Sequence, residues 1–130
     1  MKTVFIAGPY IGDRSHAAIS ANIQHAELYA ILLANRRIGF ICPHTNSRNF
    51  EMKSHQTDDF WYEFYLHILE ACDAVLALPT WEESVGARGE VARAGELGMP
   101  VFFPKSPMDM EAWSAIETWA KGGEAGEDVE

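Results

Sequence analysis

Cysteine is nearly absent: Cys42 and Cys72 are the two in 130 residues. Two thiols cannot build a disulfide framework or a structural metal site, and both sit in or beside apolar segments, as buried thiols do. Basic residues are also scarce. Ten Lys and Arg stand against 19 Asp and Glu, a net charge of -9. Such a field repels phosphate backbones and anionic lipid, which excludes a general nucleic-acid or membrane-surface binder; a single phosphate held by local amides stays compatible with it. No apolar run reaches the roughly 18 to 20 residues that cross a bilayer. The first residues form a strand rather than a signal peptide, so a cytoplasmic location is the expectation. There are no internal repeats.

What is present is ordinary for a globular chain, 48% hydrophobic and 22% charged. The length suits one domain, expected over residues 1–120, with the acidic, Gly-rich residues 121–130 as a flexible tail. TVFIAG, residues 3–8, is a β-rich run halted by Gly8, Pro9 and Tyr10. From about Ser20 to Arg37 apolar residues recur at helical spacing, leading to a second strand, GFIC, and then to Pro43 and His44. A polar loop of about 15 residues follows, long enough for a lid. In DDFWYEFYLHILEACD, Asp58 or Asp59 can cap a helix with Trp61, Phe64, Tyr65 and Ile68 on one broad face. AVLALP then reads as a strand buried on both faces. After it come a polar turn, a helix stopped by Gly98 and Pro100, and the strand MPVFF. MDMEAWSAIETWA makes a terminal amphipathic helix. The alternation predicts an α/β fold, a doubly wound parallel sheet of about four to five strands in a flavodoxin-like or Rossmann-like three-layer sandwich.

Ligands of such sheets sit beyond the strand carboxyl ends, which points to the loop from Thr80 to Gly89. Glu90 is placed by the sequence in the first turn of the helix that follows, where the macrodipole and free amides favour an ionised carboxylate. Such a group serves as nucleophile or cation stabiliser, or is simply a favourable first-turn acid. Ser84 and Gly86, six and four residues ahead of it, supply a small hydroxyl and a Cβ-free position for close approach of a phosphate or sugar. His44, with Asn46 and Ser47, either reads a ligand or caps a strand end. Arg14 is a phosphate clamp or an exposed charge. Trp81 stacks a base or covers the core edge, and Phe60, Trp61, Phe64 and Tyr65 suit core, dimer interface or pocket.

Asp73 to Glu90, D-A-V-L-A-L-P-x-W-x-x-S-x-G-A-x-x-E, resembles the nucleoside 2-deoxyribosyltransferase superfamily, particularly its small branch with a GWE.S.GA...E signature, similar to nucleoside 5′-monophosphate N-glycosidases. FIAGPY, NIQHAELYAILL and ICPH are similar to the same group, so the likeness extends through most of residues 3–103. The resemblance implies an enzyme that hydrolyses or transfers the N-glycosidic bond of a nucleoside 5′-monophosphate or (deoxy)nucleoside, with Glu90 acting at C1′. It implies Ser84 and Gly86 at a 5′-phosphate, faced by Gly8, Pro9, Tyr10 and Arg14. His44 and Trp81 complete the substrate-binding set. It also implies a homodimer or higher oligomer and no metal or cofactor. Family members commonly carry an aspartate eight residues before the one that opens the third strand. That offset falls on Tyr65 here, so Asp59 or Glu63 takes its place, or Tyr65 itself donates a proton. The alternative expectation is a nucleotide-binding or sensing domain with the same pocket and no turnover; a purely structural α/β domain is the third.

Overall fold

A computed structural model describes residues 1–128, with side chains up to residue 122. Four strands, β1 (Thr3–Ala7), β2 (Gly39–Ile41), β3 (Ala74–Ala77) and β4 (Val101–Phe102), form one sheet in the order β2-β1-β3-β4. Every pairing is parallel. The helices are α1 (His16–Asn35), α2 (Pro43–Asn46), α3 (Asp58–Leu69), α4 (Val85–Glu96) and α5 (Met110–Asp128). This is the expected doubly wound α/β architecture, at the four-strand end of the expected range. Among the described residues no helix is long and apolar enough to cross a membrane.

Strand alternation distributes the core between two layers. Val4 and Ile6 point to one face and pack with Tyr29 and Leu33 of α1 and with Trp113 and Ile116 of α5. Phe5 and Ala7 point to the other and meet Tyr65 and Leu69 of α3 and Ala87 and Ala94 of α4. Both faces of β1 and β3 are therefore covered, which is why those strands read as continuous apolar runs rather than alternating ones. Cys42 and Cys72 are buried and unbridged, as expected.

Local chemistry moves several boundaries. Helix α1 starts at His16, ahead of the apolar stripe, because the Ser15 hydroxyl accepts from the Ala18 amide at 3.0 Å. It ends two residues before the expected Arg37. There Arg37 adopts φ +60°, and the Arg37 and Ile38 amides donate to Ala34 and Leu33, a Schellman closure made with arginine where glycine is usual. Helix α4 closes the same way with Gly98 at φ +71°. Thr57, rather than Asp58 or Asp59, is the residue before α3, and the two acids occupy its first turn. The segment expected as a structureless polar loop holds α2 and a 3-10 turn at Phe50–Met52. His44 accordingly lies in α2 instead of ending β2, since Pro43 opens a helical turn. Helix α5 runs through Asp128, beyond the expected end of the domain at 120. Residues 129–130 at the end of the expected tail, and the side chains of 123–128, lie outside the described residues.

At the end of β1 the backbone is pressed against the neighbouring strand. A Cβ on Gly8 would lie 2.9 Å from both Cβ and Cγ of Leu78, which is fully buried. Gly8→Ala is expected to lower stability by roughly 1–3 kcal/mol through this overpacking. Urea denaturation of the two proteins measures it.

Candidate functional site

The chain runs from β1 to β2 on one side and crosses to β3 on the other, so the loops after β1 and β3 diverge at their carboxyl ends. A cleft of about 1330 Å³ opens there, the expected position for a ligand in such a sheet. Gly8, Pro9, Tyr10, His44, Asp59, Tyr65, Ser84, Gly86 and Glu90 all line it. Arg14, Glu63 and Trp81 do not. Arg14, in a left-handed conformation, is ion-paired at the rim to Asp58, a lining residue, and both are exposed. Glu63 is exposed on α3. Trp81 lies against Phe103, ring centroids 5.6 Å apart, and packs on the core, so it covers the core edge.

Two strand exits shape the floor. Thr80, after β3, has φ +70°, a costly state for a β-branched residue. It turns the chain into the 3-10 turn Trp81–Glu83 and on to Ser84. The Ser84 hydroxyl accepts from the Ala87 amide at 3.1 Å and so caps α4. The amides of Val85 and Gly86, first in that helix, have no partner within it. A Cβ on Gly86 would meet nothing closer than Tyr62 Cδ1 at 3.8 Å. Gly86 itself lines the cleft beside Tyr62.

Glu90 sits in the second turn of α4, not the first, on the buried stripe with Ala87 and Ala94. It is 9% exposed, and no hydrogen bond or ion pair to it occurs among the described residues. Burial alone lifts its pKa to about 8. The expectation that the helix dipole would keep it ionised at neutral pH is therefore overturned: the dipole fades within the first turn, and desolvation of an unpaired carboxyl prevails.

The opposite wall is tied together by hydroxyls. Tyr10 donates to Glu51 Oε2 at 2.8 Å and accepts from the Asn49 amide at 2.9 Å, and burial raises its pKa to about 12. The Tyr65 hydroxyl, buried, lies 3.0 Å from Asn46 Nδ2 and 2.8 Å from Ser47 Oγ, fastening α2 to α3. Asn46 and Ser47 are thus occupied by Tyr65. His44 is 3% exposed, and its Nε2 donates to the Pro9 carbonyl at 2.9 Å; burial drives its pKa down to about 4, so the ring is neutral.

Sequence reasoning missed Tyr62 and Glu51. The Tyr62 hydroxyl occupies the place a Cβ on Gly89 would take, and burial, with a smaller contribution from the charge of Glu90, raises its pKa. A glycine inside a helix one residue before the key acid was the available signal. Glu51 carries no sequence signal, because only the fold brings it to Tyr10. Among the lining residues are Asp13, Glu51, Asp58, Asp59, Glu83 and Glu90, and no Lys or Arg. Among the described residues no three His, Cys, Asp or Glu side chains converge as a metal set.

The family follows from residues 2–103, which match the Domain of unknown function (DUF4406). The chain belongs to that family. The match takes in both walls of the cleft, from Gly8 to Glu90. No curated protein matches the chain.

The raised pKa of Glu90 links stability to pH. Its folded-state value, about 8, exceeds the ordinary 4.5, so the folded state holds the proton more tightly. The resulting stability is complete below about 4.5 and is lost as pH rises to about 8. Glu90→Gln is expected to gain on the wild type across that window, by on the order of a few kcal/mol at its upper end. Denaturation midpoints of both proteins from pH 4 to 9 check it.

Proposed function

We propose that this chain breaks the N-glycosidic bond of a nucleoside or deoxynucleoside, by hydrolysis or by transfer to a second base, with Glu90 acting at the sugar carbon. The observation that carries the reading is Glu90 itself, an unpaired carboxyl nine-tenths buried at the wall of a cleft with ample room for a nucleoside. Cleavage of this bond develops positive charge on C1′, and a desolvated carboxylate interacts with such charge far more strongly than one in water. As the bond breaks, its electron pair leaves with the base, while the carboxylate adds to C1′ or stabilises the cation until water or another base attacks. The departing nitrogen needs a proton. Tyr62, whose hydroxyl lies over Gly89, and Asp59 at the cleft wall are the groups of this chain suited to direct it.

The lining also bears on phosphate. With six acids, no Lys or Arg in the lining, and Arg14 paired to Asp58, a 5′-phosphate would be held by neutral donors, the Ser84 hydroxyl and the Val85 and Gly86 amides, with no lining cation to offset its charge. An unphosphorylated substrate is therefore favoured over the 5′-monophosphate. A second reading, a nucleotide-binding domain without turnover, rests on Tyr65: its hydroxyl is spent on Asn46 and Ser47 where the resembled superfamily carries an acid.

Free base should be released from a nucleoside panel, faster than from the matching 5′-monophosphates, and Glu90→Gln should abolish release. Because Glu90 must shed its proton to act at C1′, kcat/KM should rise about tenfold per pH unit in the acid limb and level off above about 8. Release that survives Glu90→Gln would sink the assignment. Binding without any release would favour the second reading.

A further inference from the structure

Buried polar atoms almost always find partners, so the exceptions indicate what a protein expects from outside. Among the described residues the buried side-chain atoms without a hydrogen bond are Tyr29 Oη, Arg36 Nε, His44 Nδ1, Glu51 Oε1 and Trp61 Nε1. Arg36 Nε faces Glu117 at 3.1 Å, and Tyr29 is in the core between His25 and Trp113. His44, Glu51 and Trp61 all line the cleft.

These three form one connected wall. The Tyr10 ring lies edge-on to His44 at 5.7 Å, and the Tyr10 hydroxyl binds Glu51 Oε2. Phe50, adjacent to Glu51, lies edge-on to the Trp61 ring at 6.1 Å. Their hydrogen-bonding senses are set by the chemistry. With Nε2 donating to Pro9, His44 Nδ1 presents a lone pair. Glu51 Oε1 is the second acceptor, its twin oxygen already taken by Tyr10. Trp61 Nε1 can only donate.

We infer that His44, Glu51 and Trp61 form a base-reading subsite for a nucleobase carrying an amino group beside an unprotonated ring nitrogen, as in adenine and cytosine. The amino hydrogens satisfy Glu51 Oε1 and His44 Nδ1, and the ring nitrogen accepts from Trp61. In hypoxanthine and uracil an oxo group and a ring N–H replace that pair, so acceptor would face Glu51 and donor would face Trp61. A site built to pair such groups rejects the analogue that leaves them unpaired. The inference names the base for the glycosidic reading above and rests on that reading for the identity of its ligand class.

Free bases separate the two claims, because binding them requires no bond cleavage. Titration calorimetry of the full chain should show adenine bound more tightly than hypoxanthine, and cytosine more tightly than uracil, each by roughly tenfold to hundredfold. In Glu51→Gln the amide oxygen keeps the Tyr10 bond and the NH2 takes the place of Oε1, so the amino preference should narrow severalfold, Trp61 still donating toward the ring nitrogen. Trp61→Phe retains a ring against Phe50 and removes the donor, and should narrow the wild-type preference severalfold. Equal affinity within each pair, an oxo preference in the wild type, failure to bind all four bases, or a preference unchanged in both variants would overturn the subsite. Amino-base preference without base release from any nucleoside would uphold the subsite and overturn the glycosidic reading. Release from adenosine and inosine at equal rates would do the opposite.

Discussion

The parallel pairing of β1 with β3 is the constraint on which the rest of the molecule depends. Val4 to Ala7 lie in register with Ala74 to Ala77, and the pairing starts where the Thr3 amide donates to Asp73 Oδ2 at 2.7 Å and the Asp73 amide to the Thr3 carbonyl at 2.8 Å. With the starts aligned and the strands nearly equal in length, both chains leave the sheet at the same level. Gly8 is then pressed onto Leu78, and the two loops that follow must part around a space. The cleft is the consequence of that parting. No side chain within either strand had to be spared from the core to make it.

A buried, unpaired carboxyl is an expensive feature, and its cost depends on ionisation. Glu90 holds its proton at neutral pH because burial disfavours its charged form and no side chain among the described residues pairs with it. The same isolation that raises its pKa would make its interaction with a cationic sugar strong. Around it the acidic lining leaves few ways to hold an anion and many to hold groups that donate hydrogen bonds. The unpaired acceptors of His44 and Glu51 across the cleft continue that pattern. Charge and hydrogen-bonding polarity thus favour the same kind of occupant.

Much of this was legible in the chain. The apolar runs of β1 and β3 announce strands covered on both faces, because only parallel sheets bury both sides. Gly98 and Pro100 mark the end of α4, whereas the capping role of Ser84 emerged only in the structure. The segment from Thr80 that leads through Ser84 and Gly86 to Glu90 is placed at the strand ends by the order of elements alone. Less legible were features set by single hydrogen bonds, such as Ser15 starting α1 a turn early or Arg37 closing it without glycine. Propensity weighs such positions weakly, since one side-chain contact outvotes it.

Sequence by itself determined the layered α/β architecture and which strand ends face the site, because hydrophobic periodicity and breakers are local and additive. Only the tertiary structure decided the state of Glu90, since a pKa responds to the dielectric and partners that packing provides and not to position along a helix. It also decided that Arg14 and Trp81 stand outside the cleft, and that Glu51 and Trp61 stand within it. Those four are set by long-range contacts, Arg14 with Asp58, Trp81 with Phe103, Glu51 with Tyr10, and Trp61 with Phe50. Contacts between residues so far apart leave no periodic trace in the chain.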